Sequence, residues 1–401
     1  MKPHQKLYAE RRNLQQPGRH RFGPLVVALF AALTFFATGG EPIAPGELVA
    51  PKLEIVGGNL NFTVQPSVAG RSYLLQYADT LQGGTWQDLG SAVIGNGNNL
   101  VITTPRTAGV TRRFYRLALD AAVGVPEGFS LIPAGAFTMG PTSGDTDSNA
   151  PPVTVTVSAF FMGKCEVTKA LWDEVRTWGA ANGYTDLAEG GGKASNHPVQ
   201  EIRWFDMVKW CNARSQRDGL TPVYTVSGAV MKTGILTPTA NWSANGYRLP
   251  TEAEWEKAAR GGVSGKRFPS GLDTISHSQA NYRAYSGWSY DSSGAVNGYH
   301  PSYRVGEFPY TSPVGSFAAN GYGLYDMAGN VWEWCWDWYG ASTYVSGAID
   351  PRGAASGAFR VHRGGGWYHN AYFCRASHRF SSDPVSTAVD IGFRPARSSV
   401  P

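Results

Sequence analysis

Two short segments near the C-terminus constrain this chain more than any other part of its sequence. Residues 321–335 read GYGLYDMAGNVWEWC and residues 363–374 read RGGGWYHNAYFC, which brings together glycines, carboxylates, tryptophans and two of the four cysteines. An ordinary core strand or helix needs no such mixture, because buried regular elements are mainly aliphatic. Glycine-rich turns between aromatic residues instead indicate an irregular domain with a functional site in this region.

The overall composition is that of a folded chain with many loops. Charged residues make up 16% of the 401 residues, whereas the chain contains 49 glycines, 13 tryptophans, 19 tyrosines and 18 phenylalanines. With this balance we expect aromatic packing and turns to dominate over long amphipathic helices. The length allows two or three domains.

The N-terminus has the pattern of a secretory signal peptide. Residues 1–22 hold six of the 35 basic residues and one of the 30 acidic residues, so the remaining chain has 29 of each and a net charge of 0. We therefore expect no nucleic-acid partner. An uncharged apolar run over residues 25–36 follows, with Ala37 and Gly39 at the spacing that a signal peptidase accepts. The alternatives are an uncleaved anchor and a buried helix.

Residues 1–40 are accordingly interpreted as a signal peptide. We expect the mature protein to be secreted, periplasmic or on the cell surface, without membrane contact after cleavage, and monomeric. Residues 41–51 contain three prolines and are interpreted as a linker.

Residues 52–122 are predicted to form a small all-β sandwich. Five short segments in it, separated by turn residues, have strand character: 52–56, 60–64, 72–77, 100–104 and 113–117. The module resembles the fibronectin-like accessory modules of exported bacterial proteins.

Residues 127–401 are predicted to form one large domain with three helices. The clearest helix begins after Thr251, which is an N-cap, and Glu254 completes a capping box before Gly261 ends the helix. The other two helices begin near Thr168 and Phe205. We expect turns and short strands elsewhere.

This large domain resembles the formylglycine-generating enzyme family, also called sulfatase-modifying factors. Six sequence blocks in the family order carry the resemblance: FSLIPAGAFTMG at 129–140, EVT at 166–168, PVQEIRW at 198–204, GYRLPTEAEWE at 246–256, GYGLYD at 321–326 and GFR at 392–394. The resemblance implies an α+β fold similar to C-type lectins and low in regular secondary structure.

The resemblance also implies a copper centre, from which this sequence departs. Members that act on sulfatases hold Cu(I) with two cysteines after a Gly-Gly-Ser step and use dioxygen to oxidise a cysteine of a substrate peptide. In this chain Cys374 falls on the second cysteine, whereas His369 replaces the first and Gly366 replaces the serine. Three alternatives follow: a mixed copper site of His369, Cys374 and His378, a turn histidine beside a buried thiol, or a disulfide between Cys374 and Cys335.

Calcium sites are implied as well. The ligands of the first site are the carboxylates of Asp326 and Glu333 and the backbone carbonyls of Gly329 and Val331, which are hard oxygen donors around a glycine turn. The resemblance offers Asn281 and the Tyr282 carbonyl for a second site, but the ligands beyond them have no counterpart in this sequence.

Two functions from different classes remain open at this point. The first is an exported copper-dependent oxidase that acts on a cysteine-bearing protein or peptide. The second is a calcium-stabilised, lectin-like binding module for a protein or a glycan. The tryptophans between residues 332 and 338 alternate as in a strand, so about half of them should be core and the rest could line a groove.

Overall fold

The structure is a computed structural model that describes residues 152–399 except 295, 296 and 341–343, residues 125–142 and 145, parts of segment 52–119, and Val26–Leu29. The predicted linker and the remainder of the predicted signal segment lie outside the described residues.

The N-terminal part consists of short strands. Its described strands are β1 (Val26–Leu29), β2 (Lys52–Val56), β3 (Asn59–Val64), β4 (Ser72–Ala78), β5 (Gln87–Asp88), β6 (Val93–Ile94), β7 (Leu100–Pro105) and β8 (Arg112–Leu119). The five strands predicted between residues 52 and 117 are therefore confirmed. One sheet has the order β1-β8-β4-β5, with β6 also on β4, and the other has the order β2-β3-β7.

The two N-terminal sheets share one apolar cluster. Side chains of β3, β4 and β8 meet in it, including Leu60, Phe62, Tyr73, Leu75 and Tyr115. In β7 exposed and buried residues alternate: Val101 is exposed, whereas Ile102 and Thr104 are buried. This is expected of a strand with one face against a core. The fibronectin-like classification of the module stays a prediction.

The C-terminal part combines helices with short strands and long irregular connections. Its described elements are β9 (Phe129–Ile132), β10 (Gly135–Met139), β11 (Val153–Val157), β12 (Phe160–Gly163), α1 (Lys169–Ala180), α2 (Trp204–Arg217), β13 (Tyr224–Val226), β14 (Ala229–Val230), β15 (Thr239–Ala240), α3 (Glu252–Ala259), β16 (Trp332–Trp338), β17 (Arg360–Arg363), β18 (Phe380–Ser382), β19 (Ile391–Gly392) and β20 (Ala396–Ser398). This is an α+β architecture. None of the described helices is long and apolar enough to cross a bilayer.

The three helices begin where the sequence predicts. Thr168 caps α1, since its side chain accepts a hydrogen bond from the Leu171 N–H. α3 has the predicted capping box, because Thr251 accepts from the Glu254 N–H while the Glu254 carboxylate accepts from the Thr251 N–H.

β16 lies between the two main apolar clusters of the C-terminal part. It is central in the sheet β18-β17-β16-β19. Trp332 and Trp334 are buried in the cluster that includes α1 and α2, whereas Cys335 belongs to the cluster that includes α3. Trp336 and Trp338 are half-buried. Successive side chains of a strand point to opposite faces, so the tryptophans share one face and Glu333, Cys335 and Asp337 share the other.

Candidate functional site

Cys374, the residue on which the copper expectation depends, is a buried free thiol. It has no solvent exposure and packs in an apolar cluster with Phe268 and Tyr282. Burial raises the pKa of this thiol far above its usual value, so the thiolate form is strongly disfavoured. Cys335 is also a free buried thiol, but in the cluster with α3. The alternative of a Cys335–Cys374 disulfide is therefore wrong for this structure.

His369, which stands where relatives have the first motif cysteine, contacts a carboxylate. Its Nδ1 lies 3.0 Å from Asp390 Oδ2 and 3.1 Å from Trp332 Nε1. One ring nitrogen cannot donate to Asp390 and accept from Trp332 at the same time, so only one bond forms in a given protonation state. A hydrogen bond from Nδ1–H to Asp390 fixes the Nδ1–H tautomer of the neutral ring and leaves Nε2 as an acceptor.

Gly366, which stands where the family has a serine, leaves room for this pair. A Cβ at this position would lie 3.2 Å from the Asp390 carbonyl oxygen and 3.4 Å from Asp390 Oδ2. The 3.2 Å contact is tighter than nine in ten real Cβ contacts, so the Asp390 carbonyl would have to shift by a few tenths of an ångström, whereas 3.4 Å is ordinary packing. Both positions therefore lie beside Asp390: His369 has its carboxylate as a partner, and Gly366 packs against it.

Three histidines surround the indole of Trp332. The ring centroids of His362, His369 and His378 lie 4.8, 5.4 and 6.0 Å from that of Trp332. Burial and the charges of the other two histidines lower the pKa of His362 to about 3. His362 therefore stays neutral at physiological pH.

The residues do not fit a copper centre. Cys374 packs away from Trp332, in a different apolar cluster. Within the described part of the chain, no group of three or more His, Cys, Asp or Glu side chains is placed to hold a metal ion. Cu(I) prefers sulfur ligands, and the candidate set of His369, Cys374 and His378 supplies a single buried thiol.

The loop predicted to bind calcium, residues 326–333, forms a tight turn next to the buried Asp326 carboxylate. Asp326, Gly329 and Asn330 all have positive φ values, of 54°, 77° and 59°. At Gly329 a Cβ would lie 2.3 Å from the Asn281 carbonyl oxygen, so only glycine fits there. Asp326 Oδ2 accepts from the Gly315 N–H at 2.5 Å, whereas its buried Oδ1 has no hydrogen-bond partner among the described residues.

Glu333, the second expected carboxylate ligand, is engaged by an arginine. Arg394 Nε and Nη2 donate to its two oxygens at 2.6 Å each, and Trp255 Nε1 donates to Oε2 at 2.7 Å. All of these groups are buried. This bidentate pair differs from the expected metal-ligand role of Glu333, because the cation already beside it is a guanidinium.

A third buried carboxyl group, that of Glu166, lies close to Asp326 and Glu333. Burial and the nearby charges of Asp326 and Glu333 raise its pKa well above the usual value, although Arg394 and a bond from Asn330 act in the opposite direction. Burial is also the main reason why the pKa of Asp326 rises to about 6. Three buried carboxylates face one guanidinium here, so a bound cation would offset the excess charge.

The donors therefore fit calcium better than copper. A calcium ion accepts carboxylate and backbone carbonyl oxygens, and Asp326 Oδ1 is a buried oxygen without a partner. In contrast, the carbonyl groups of the residues expected for a second calcium site already have hydrogen-bond partners within the protein. The Tyr282 carbonyl lies 3.0 Å from His277 Nε2, and the Asn281 carbonyl accepts from the Asn330 N–H at 2.7 Å.

Two residues of this region are not apparent from the sequence as site residues. Asn330 connects three segments: its Oδ1 accepts from the Ser312 N–H at 2.9 Å, and its Nδ2 donates to Glu166 Oε2 at 3.1 Å. Its position in a Gly-Asn turn is a sequence signal for a structural role of this residue. Asp390 lies in a separate loop from His369, and nothing in its local sequence indicates the contact.

Comparisons with known proteins agree with this architecture. The family model described as "Sulfatase-modifying factor enzyme 1-like domain" matches residues 117–399. The chaperone protein LppX of Paenibacillus barcinonensis is 31% identical over 289 residues, which cover 68% of this chain and 90% of that protein. The formylglycine-generating enzyme of Thermomonospora curvata is 30% identical over 324 residues, which cover 67% of this chain and 93% of that enzyme.

A solved structure supports the same assignment at the level of the fold. The Treponema denticola variable protein 1 superposes with a TM-score of 0.51 at 29% identity and covers 67% of this chain and 94% of its own. With a family match over more than half of the chain and a relative above 30% identity along most of its length, this chain belongs to the sulfatase-modifying factor family, the family of the formylglycine-generating enzymes.

Proposed function

We propose that this chain is an exported binding domain built on the formylglycine-generating enzyme fold, with a protein or a glycan as its ligand, rather than a copper-dependent oxidase. The observation that carries the proposal is the state of Cys374. It is a solitary, fully buried thiol with a strongly raised pKa, and the position that the family resemblance gives to the first motif cysteine is held by His369, in contact with Asp390.

Family membership by itself does not select the oxidase. The relative named a chaperone protein and the relative named a formylglycine-generating enzyme share nearly the same identity with this chain, 31% and 30%. A fold supports several functions, and the function depends on the residues of the site. In this chain those residues lack the paired thiols that a soft Cu(I) ion prefers.

Calcium is part of the proposal as a stabilising ion. Asp326 supplies a buried carboxylate oxygen without a hydrogen-bond partner among the described residues, and its raised pKa reflects a site that disfavours an uncompensated negative charge. A calcium ion would be held by Asp326 with backbone carbonyls of the Gly329–Val331 turn, while Glu333 keeps Arg394.

The oxidase activity can be tested directly. The full chain is incubated with Cu(I), oxygen and a Cys-x-Pro-x-Arg peptide, and formylglycine is measured by mass spectrometry. We expect no aldehyde from this chain or from Cys374→Ser, while the Thermomonospora curvata enzyme serves as the positive control. Aldehyde formed by the parent chain and lost in Cys374→Ser would refute the proposal.

A second candidate, the oxidase itself, is favoured by the family match that spans residues 117–399. It requires that Cys374 become accessible. Alkylation of the native protein separates the two candidates, because half-buried Cys165 is an internal reference. We expect Cys165 to be modified before Cys374, which should react only on unfolding. Rapid alkylation of Cys374 in the folded protein would favour the oxidase.

A further inference from the structure

A surface of exposed and half-buried rings and cations lies beside His369 and plays no part in the sites described above. We call it the basic aromatic surface and define it by six residues: Tyr299, Phe308, Tyr310, Tyr368, Arg283 and Lys193. Phe308 is 58% exposed and Tyr368 48% exposed. The Arg283 N–H donates to the His369 carbonyl at 2.9 Å, which joins this surface to the motif loop.

The rings of this surface support one another. The centroid of Tyr299 lies 6.1 Å from that of Phe308, 5.2 Å from that of Tyr310 and 6.1 Å from that of Tyr368. Beneath them Trp367 is buried, with its centroid 5.7 Å from that of Tyr299. Tilted and edge-to-face contacts of this kind hold aromatic side chains in place. A ligand therefore meets a preformed platform, which lowers the entropy cost of binding.

Two cations accompany the rings. The Arg283 guanidinium lies 5.6 Å from the Tyr299 centroid, and Lys193 Nζ lies 5.3 Å from the Tyr310 centroid while it donates to the Val305 carbonyl at 2.7 Å. Neither cation forms an ion pair within the part of the chain that the structure describes. The segment 299–310 contains one acidic residue, Glu307. The surface is thus positively charged and complementary to an anion.

We propose that the basic aromatic surface binds an acidic polysaccharide, a chain of pyranose rings that carry sulfate or carboxylate groups. Exposed aromatic faces take up the apolar faces of sugar rings, and a guanidinium pairs well with planar or tetrahedral oxyanions. An acidic peptide fits less well, because none of the six residues belongs to a strand to which an extended peptide could add. This inference rests on the proposed binding function and specifies its ligand class.

The test compares dextran sulfate with unsulfated dextran of the same length, using the full chain in a titration at fixed ionic strength. We expect dextran sulfate to bind and unsulfated dextran to bind at least tenfold more weakly. Lys193→Ala and Arg283→Ala should each weaken binding about tenfold, as expected when a charge-assisted contact is removed. Phe308→Ala should also weaken it, because a stacking ring is lost.

Two control variants match these substitutions closely. Lys232, like Lys193, is half-buried, donates to a backbone carbonyl, that of Asn182 at 2.9 Å, and lies 5.3 Å from a tyrosine centroid, that of Tyr184. Phe359 is 50% exposed and serves as the control for Phe308. Lys232→Ala and Phe359→Ala should leave dextran sulfate binding unchanged.

The remaining outcomes each count against the inference. Equal losses in Lys193→Ala and Lys232→Ala would show that the polymer responds to net charge alone. Poly-glutamate binding as tightly as dextran sulfate, with the same variant pattern, would replace the polysaccharide with an acidic peptide. Absence of dextran sulfate binding would overturn the ligand class, whereas the proposed function is overturned by a different result, aldehyde formation in the formylglycine assay.

Discussion

At the scale of single residues, two positions of the loop that carries Cys374 lie beside Asp390. His369 lies 3.0 Å from Asp390, and Gly366 leaves the space that Asp390 occupies. The Cβ of a serine at position 366 would lie 3.2 Å from the Asp390 carbonyl oxygen, so Asp390 would have to move by a few tenths of an ångström. The histidine and the glycine therefore form one local arrangement around Asp390.

The buried carboxylate of Asp326 gives a prediction about pH. Its pKa is raised from 3.8 to about 6, chiefly by burial. In calcium-free buffer the folded protein therefore takes up a proton between about pH 6 and pH 4 before the unfolded chain does, and stability rises as the pH falls through this window. At neutral pH the same carboxylate is ionised at a cost to the folded state.

We expect Asp326→Asn to be more stable than the parent by on the order of 1–3 kcal/mol near pH 7.5 in the presence of a chelator, and this difference to shrink towards pH 5. Urea unfolding at several pH values measures it. Asp273→Asn is the control, because the Asp273 carboxylate is exposed and pairs with Lys266. A stability difference that does not change with pH would contradict the argument.

At the scale of elements, buried ion pairs join α3 to the sheet that contains β16 and β17. Glu252, at the start of α3, receives two bonds of 2.6 Å from Arg379 and lies 3.3 Å from Arg363 on β17. Arg363 also donates to Glu256 of the same helix. Although burial opposes ionisation, the two guanidinium groups keep the pKa of Glu252 below its usual value.

Glu252→Gln should destabilise the protein by about 3–5 kcal/mol, because it removes the carboxylate that the buried guanidinium groups of Arg363 and Arg379 share. Chemical denaturation at pH 7 measures this effect. Glu174→Gln breaks an exposed pair with Arg217 and should cost less than about 1 kcal/mol. Similar losses in the two variants would mean that the α3 pairs do not hold the helix in place.

At the scale of the whole molecule, calcium removal should lower the melting temperature. An ion that binds only the folded state stabilises it in proportion to the logarithm of the ion concentration. We expect a lower melting temperature in chelator than in millimolar calcium, and we expect Asp326→Asn to lose this response. A melting temperature of the parent chain that is the same in both buffers would refute the calcium site.

Local signals explain which parts of the fold were predictable. Thr168 and Thr251 begin helices because a hydroxyl satisfies a free N–H group of the first turn, and this chemistry depends on residues at most three positions away. Five strands of segment 52–119 follow from short segments of strand character bounded by turn residues, whereas the two-residue strands β5 and β6 were not predicted. The burial of Trp332 and Trp334 follows from the alternation of side chains along a strand.

Contacts between distant segments explain which features of the site the sequence did not predict. Asp390 meets His369 from another loop, and Arg394 pairs with Glu333 across 61 positions. Asn330 meets Glu166 across 164 positions. No local pattern encodes these pairs. The motif around Glu333 therefore could not show that this expected metal ligand pairs with the Arg394 guanidinium.

The sequence by itself determined the helix starts, five of the N-terminal strands and the family of the C-terminal domain, because those depend on short-range hydrogen bonding, on local strand and turn patterns and on motif order. Only the tertiary structure decided the chemistry of the site. Burial removes the Cys374 thiol from solvent and raises its pKa, and long-range packing sets Asp390 beside His369. Solvation and charge pairing are properties of the folded surroundings, and a residue acquires them only when remote segments close around it.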